Sequence, residues 1–265
     1  MNERFGLIGA GIMGEALITS LLKAGIHPSA ITFSEKRQER SEEISARYGI
    51  KALTLAELAH TSSVILLLTK PQDLGSVLEE IAGNLSPQTL IISFAAGKKI
   101  GFIESSLLAQ HPVLRIMPNT PLTVGRGISA ISLGKYASSD DSDLASEILK
   151  ESGDVILVTE ELQDAVTAMS GSGPAYFFAF IESMIKAGVE LGLDLESATR
   201  LAISTISGAA KMLEESGKTP TQLRENVTSP NGTTAAALGF FSQHNFEEII
   251  KGAIKAARDR SLELG

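Results

Sequence analysis

The 265-residue sequence has no cysteine, which excludes disulfides, thiolate catalysis and cysteine-based metal sites; nothing in it argues for secretion. Its four histidines, at 27, 60, 111 and 244, show no metal spacing of the H-E-x-x-H kind, so no metal site is expected. There is no basic stripe: Lys and Arg total 23 against 31 Asp and Glu, a net charge of −8, which argues against a nucleic-acid partner. That acidic balance favours solubility and says little about substrate. No apolar run approaches the ~20 residues of a membrane span. The opening M-N-E-R-F-G lacks the charged and apolar regions of a signal peptide, so a cytoplasmic protein is expected. Repeats and low-complexity tracts are also missing. What remains, 43% hydrophobic and 20% charged, is the composition of an ordinary globular chain of one or two domains.

What is present is organised around Phe5 to Gly14, F-G-L-I-G-A-G-I-M-G. A short apolar run, Phe5 to Ile8, reads as a strand that passes into Gly9-x-Gly11-x-x-Gly14 and then an Ala/Leu-rich helix to Leu22. This is the strand–turn–helix context of a dinucleotide fingerprint. Gly9 permits the tight turn, Gly11 lets a pyrophosphate reach the backbone, and Gly14 lets the helix pack against the strand. Free N–H groups and the helix dipole then meet the phosphates. Gly25 is the stop signal for that helix, and Ala30 to Phe33 reads as a second strand, ending in Ser34-Glu35-Lys36-Arg37. A small polar residue followed by basic ones suits the 2′-phosphate of NADP, whereas an acidic residue at the strand end suits the 2′-hydroxyl of NAD. Ser34, Lys36 and Arg37 favour NADP; Glu35, one residue of register away, keeps NAD open. The plainer reading is that Lys36 and Arg37 open a solvated helix.

Ser63 to Leu68, Thr89 to Phe94 and Val113 to Met117 are apolar runs of strand length, as expected for a parallel sheet covered on both faces. They end in Thr69-Lys70-Pro71-Gln72, Ala95-Ala96-Gly97-Lys98 and Pro118-Asn119-Thr120-Pro121. Open α/β sheets place ligands at such strand ends. Lys70 is placed to meet a cofactor, Pro71 to start a helix, and the small residues after Phe94 to let a flat ring approach. The two prolines around Asn119 make a stiff loop able to hold an amide or a substrate. Gly127 to Leu133 and Val155 to Val158 add two strands around an acidic helix, Asp140 to Lys150. This alternation gives a doubly wound α/β domain over residues 1–160.

Residues 161–265 read as helical: 162–192 with a break near Gly171–Pro174, then 194–215, 219–226, 232–243 and 245–264. Ala175 to Leu191 is apolar around most of its circumference and so requires burial all round, which points to a second subunit. The small residues of Ala202 to Ala210 let helices approach closely. Met169-Ser-Gly-Ser-Gly-Pro-Ala175 is costly in a helix, which implies a close approach of its backbone to something. Val227-Thr-Ser-Pro-Asn-Gly-Thr-Thr234 enters a helix at about Gly232. Free amides there, with the hydroxyls of Ser229, Thr233 and Thr234 and no Lys or Arg, suit a carboxylate. An ordinary N-cap cluster explains the same residues equally well.

The ordered motifs G-x-G-x-M-G, T-K-P-Q (69–72), A-A-G-K (95–98), R-x-M-P-N-T-P (115–121), G-S-G-P-A (171–175) and T-S-P-N-G-T-T (228–234) resemble the pyrroline-5-carboxylate reductase family along essentially the whole chain. The resemblance implies reduction of Δ1-pyrroline-5-carboxylate to L-proline by NAD(P)H, the last step of proline biosynthesis. It implies an N-terminal Rossmann domain and a helical domain that interlocks with a partner subunit, in dimers that the family often assembles into rings. Carried over by position, Gly9, Gly11, Ile12, Met13 and Gly14 would hold the pyrophosphate, and Ser34, Lys36 and Arg37 the adenosine ribose and its phosphate. Lys70 and Pro71 would line the ribose and phosphate side, and Ala95, Ala96, Met117, Pro118 and Asn119 the nicotinamide end. Ser229, Asn231, Gly232, Thr233 and Thr234 would take the substrate carboxylate. Thr234 would lie nearest the ring nitrogen, with Glu225 just before the loop as its catalytic companion. Asn231 stands where the family usually has glycine; asparagine tolerates left-handed backbone, so the loop is expected to survive. Competing readings are a β-hydroxyacid dehydrogenase or imine reductase-like enzyme, and a non-catalytic NADP-binding regulator. The first would need an acid/base lysine on the first interdomain helix. The first lysine after Gly173, Lys186, lies in the apolar helix.

Overall fold

The structure, a computed structural model, describes residues 3–264. Strands β1 (Phe5–Ile8), β2 (Ile31–Ser34), β3 (Lys51–Ala52), β4 (Val64–Leu67), β5 (Leu90–Ser93), β6 (Val113–Met117), β7 (Gly127–Leu133) and β8 (Gly153–Leu157) form one sheet. Their order is β3-β2-β1-β4-β5-β6-β7-β8. Neighbours run parallel except β6 and β7. Six helices cover it: α1 (Ile12–Lys23), α2 (Gln38–Tyr48), α3 (Leu55–Thr61), α4 (Leu74–Ala82), α5 (Ile100–Ser106) and α6 (Ser139–Leu149).

Strand alternation splits each apolar run between two cores. Phe5, Leu7, Val64, Leu66, Leu114 and Ile116 pack with α1, α2 and α6 through Leu17, Leu21, Ile44 and Ile148. Ile8, Ile65, Leu67, Ile91 and Val113 face the other way, onto Leu58 of α3, Leu74 and Leu78 of α4 and Ile103 of α5. Burial on both faces is why these strands read as continuous apolar runs rather than as alternation. This is the doubly wound sheet expected from the sequence. Its order reverses at β1, so the crevice beyond the carboxyl ends of β1 and β4 is the place for a ligand.

Local differences have local causes. The second strand begins at Ile31, because Pro28–Ala30 forms a 3₁₀ turn whose Ser29 amide donates to the His27 side chain. Ser34 is thus the last residue of β2. β3 is a two-residue edge strand with both residues exposed and no apolar signature.

The remaining helices are α7 (Gln163–Val166), α8 (Gly173–Glu190), α9 (Leu195–Glu215), α10 (Pro220–Asn226), α11 (Thr233–Gln243) and α12 (Phe246–Leu264). The expected break appears as a π-turn over Thr167–Gly171. The chain divides into two compact units, one running to Gly173 and taking in the stretch from Ala257 onward, the other Pro174–Ala256. That division falls later than residue 160 because α7 is bound to the sheet. Gln163 is fully buried, with its Nε2 donating to Ala130 O (3.1 Å) and Ser132 Oγ (2.8 Å) of β7. The Ser261 hydroxyl of α12 donates to Asp164 Oδ1 at 2.6 Å. In the second unit, among residues 174–256, only Ala198 and Ala202 are buried, while Phe177 and Phe178 of α8 are 61% and 69% exposed.

Candidate nucleotide and substrate sites

The carboxyl ends of β1, β4, β5 and β6 lie side by side, so the sheet order alone aligns Gly9–Gly14, Thr69–Pro71, Ala95–Ala96 and Met117–Asn119 along one edge. Gly9 turns the chain at φ +107, and a Cβ there would sit 2.9 Å from Leu68 O. A Cβ on Gly14 would collide with Gly9 O, so α1 approaches the loop as closely as a helix can. A Cβ on Gly11 would meet nothing within 4 Å, and no side chain caps α1, whose N-cap is Gly11. Open space above uncapped amides is what a pyrophosphate needs. Ile12, next along, is 80% exposed, and Met13 is half-buried.

A cavity of about 480 Å³ opens here, lined by Gly9, Gly11, Ser34, Lys36, Arg37 and Lys70 among others. Glu35, Thr69 and Asp73 also line it. Pro71 starts the 3₁₀ turn Pro71–Asp73 that leads into α4. Thr69 Oγ1 is buried with no hydrogen-bond partner. This orphaned hydroxyl, the bare Gly11 and the basic side chains fit a dinucleotide. Sequence reading passed over Thr69 within T-K-P-Q, because nothing in a sequence says which hydroxyl lacks a partner.

Glu35 does not stand free at the cavity. Its Oε2 accepts the Ala10 N–H (3.1 Å), and its Oε1 accepts the Arg37 N–H (3.1 Å) and Nε–H (3.0 Å). Burial pushes the carboxyl up, but the Arg37 guanidinium and these amides outweigh it and hold the group below its usual range. The Ala10 carbonyl accepts Arg40 Nε–H at 2.8 Å. Arg40 is in turn held by Glu15, which also binds Arg47 and the Tyr48 hydroxyl (2.8 Å). Hydrogen bonding from Arg40 above all, against the opposing effect of burial and helped by Tyr48 and Arg47, brings Glu15 down from 4.5 to about 2. Ala10 of the glycine loop is therefore held through both its N–H and its carbonyl, by Glu35 and Arg40 from the segment after β2.

Further along the edge, Ala95 and Pro118 are buried, and Ala96 and Met117 are half-buried. None of these four, nor Asn119, lines the cavity. Asn119 is engaged inside the protein: Oδ1 accepts the Ile128 N–H (3.0 Å) and Nδ2 donates to Ser170 Oγ (3.3 Å). It fixes the β6–β7 connection to the π-turn. The Met117 side chain lies where a Cβ of Gly171 would be, so the close approach implied by the costly 169–175 stretch is, at Gly171, to Met117. Beneath them Arg115, 3% exposed, donates to Glu160 Oε1 (3.2 Å) and lies 3.8 Å from Asp164 Oδ1. Glu160 Oε1 also accepts the first amide of α5, Ile100 N–H, at 2.6 Å.

In the second unit, Thr228 ends the α10 turn by donating to Arg224 O (2.6 Å). Asn231 takes φ 58, the left-handed backbone expected for asparagine at that position. Gly232 is the N-cap of α11, and a Cβ there would strike Ser229 Oγ. Its amide donates to Ser229 O at 3.0 Å, closing the loop beneath Thr233 and Thr234. No side chain caps α11, whereas Thr54, Ser138, Asp194 and Thr219 cap α3, α6, α9 and α10. Side-chain caps are missing from α1, α2 and α4 as well, so the missing cap leaves the first-turn amides of α11 open to an anion without by itself selecting one. Glu225 lines a separate cavity of about 940 Å³ with Arg224, Thr228, Phe180 and Phe241; Ser229, Gly232, Thr233 and Thr234 are absent from its walls.

Comparison with known proteins agrees with this architecture. Residues 160–264 match the family model for pyrroline-5-carboxylate reductase dimerisation, and residues 4–97 match the model for NADP oxidoreductase, coenzyme F420-dependent. The chain is 42% identical to pyrroline-5-carboxylate reductase of Corynebacterium melassecola, over 98% of this chain and 97% of that one. A solved pyrroline-5-carboxylate reductase of Coxiella burnetii superposes with a TM-score of 0.93 at 32% identity, covering 100% of this chain and 99% of that one. The Plasmodium falciparum pyrroline carboxylate reductase, solved with NADP bound, gives 0.89 at 32% identity, covering 100% and 98%. The chain belongs to the pyrroline-5-carboxylate reductase family.

Proposed function

We propose that this protein reduces Δ1-pyrroline-5-carboxylate to L-proline with NADPH, the last step of proline biosynthesis. Family membership over the full chain supports the reaction class. The uncapped start of α11 behind a left-handed Asn231 carries the substrate assignment. A carboxylate is the anion such an end takes, held by amides and roughly half a positive charge without a lysine or arginine. Bound in the cavity of the first unit, the dinucleotide supplies the hydride.

The chain's own residues orient the substrate and manage its proton. The amides of Thr233 and Thr234, with the Ser229 hydroxyl, hold the carboxylate and thereby fix which face of the ring is presented. The Thr234 hydroxyl, or a water, keeps the ring nitrogen protonated, which makes the C=N carbon a good hydride acceptor. The expected outcome for Thr234→Ala is a kcat/KM lower by about 10²-fold with cofactor affinity unchanged. Unchanged turnover would remove Thr234 from the mechanism. A panel of cyclic imines and hydroxy acids separates this reaction from a β-hydroxyacid dehydrogenase, which would oxidise only the latter, and from a regulator, which would turn over neither.

The same proposal makes the enzyme a homodimer. Its support is the dimerisation model over residues 160–264 and the scarcity of buried side chains in the second unit. Light scattering reads the mass. A cytoplasmic location, from the sequence reading, is tested by fractionation.

A further inference from the structure

β5 and β6 leave the sheet together: Ser93, the last residue of β5, is paired in register with Arg115 of β6. The loop after β5, Phe94 to Lys99, is fastened at its start by the Ala95 N–H, which donates to Ser93 Oγ at 3.3 Å. At its far end α5 begins, and the N-cap residue Lys99 makes no capping bond. The cap comes instead from the 3₁₀ turn after β8, where Glu160 Oε1 accepts the Ile100 N–H at 2.6 Å. The same oxygen accepts Arg115 Nη1–H at 3.2 Å, and Arg115 stands two residues before Met117. A carboxylate is favoured there twice over, by the start of the helix and by the guanidinium. The far side of the β6 loop is held by Asn119, on the Ile128 amide and the Ser170 hydroxyl.

We propose that Glu160 is a positioning residue for hydride transfer: by joining the start of α5 to Arg115 through one carboxylate oxygen, it sets the spacing between the Ala95–Ala96 loop and the Met117–Asn119 loop. The inference rests on the reading that these two loops meet the nicotinamide end of the bound dinucleotide. Strand pairing fixes where the loops begin, and the Glu160 bridge fixes where they go. Glu160 itself lines a different cavity from the nucleotide, with Ile100 and Glu104, and acts through the loops. Hydride transfer is sensitive to such spacing, because a misplacement of about 1 Å can cost ~10²-fold in rate. The bridge also explains why a carboxylate beyond the last strand matters to a loop on the far side of β6: Arg115 is 3% exposed and has no solvent to turn to in its place.

Turnover and calorimetric binding of three variants test this. Glu160→Ala removes both bonds. Glu160→Asp retracts the carboxylate by one methylene, so that it cannot serve both partners. Glu160→Gln keeps an acceptor oxygen for each. Adenosine 2′,5′-bisphosphate is the adenosine half of NADPH without the nicotinamide, so it reports the fold and the nucleotide cavity alone. The alanine and aspartate variants are expected to lower kcat about tenfold while binding the bisphosphate with wild-type affinity and stoichiometry; the glutamine variant is expected to stay near wild type in both. Glu160→Ala leaves Arg115 with only Asp164 nearby at 3.8 Å, so if that variant does not fold, Glu160→Asp carries the test. A kcat that falls only in step with the fraction of protein binding the bisphosphate, a kcat unchanged in both, or a loss in Glu160→Gln as large as in the other two would overturn the role of Glu160 and leave the cofactor reading intact. Failure of the wild-type protein to bind either NADPH or the bisphosphate would overturn the cofactor reading, and the proposal with it.

Discussion

A buried hydroxyl without a partner costs roughly 1–3 kcal/mol of desolvation, and Thr69 bears that cost beside the nucleotide cavity. A ligand oxygen that reaches it relieves the cost. Thr69→Val is accordingly expected to weaken NADPH binding by about three- to tenfold, with melting temperature unchanged or raised; fluorescence titration and a thermal melt read both. Glu15 makes a different prediction. Its folded pKa, about 2 against 4.5, is depressed, so its contribution is fully present above the unfolded value and is lost as pH falls towards 2. The stability gap between wild type and Glu15→Gln should be about 1–3 kcal/mol near neutrality and close progressively below about pH 4.5. Denaturant melts across that range check it; a gap independent of pH would contradict it. Neither residue's role was legible in the sequence. Gly9, Gly11 and Gly14 were, because glycine spacing encodes backbone shape, whereas the partners of Thr69, Glu15 and Glu35 depend on which side chains converge from β2, α1 and α2.

At the scale of elements, β1, β4, β5 and β6 read well because each is buried on both faces and its apolar run marks its length. β6 and β7 were placed residue for residue. Two-residue β3 left no pattern to read. The α11 loop shows what sequence offers and withholds. Its glycine and asparagine announced an unusual turn, but that no side chain caps α11 was not legible, because Ser, Thr and Asn in that stretch could each have capped it. Asn231→Val forces a β-branched residue to φ 58 and is expected to raise KM for the imine several-fold and lower stability by about 1–3 kcal/mol. Asn231→Gly should be near neutral in both assays. The R-x-M-P-N-T-P motif was read for its loop, and its arginine had no assigned role. Arg115 is buried against Glu160 and Asp164, the latter also holding Ser261. Arg115→Met should lower stability by about 3 kcal/mol and raise hydrogen exchange in the last turns of α12.

For the whole molecule, helical continuity after residue 160 was legible, but the attachment of α7 to the sheet was not, because it depends on one buried glutamine that sequence does not distinguish from a surface one. The apolar circumference of α8 was legible too, and its phenylalanines remain exposed in a single chain. Phe178→Asp is expected to shift the light-scattering mass towards monomer and to lower the melting temperature in a concentration-dependent way. The account as a whole stands on one reaction. Purified protein supplied with Δ1-pyrroline-5-carboxylate and NADPH should consume the dihydronicotinamide and yield L-proline mole for mole. Cofactor binding without proline formation, from a folded protein, would contradict it.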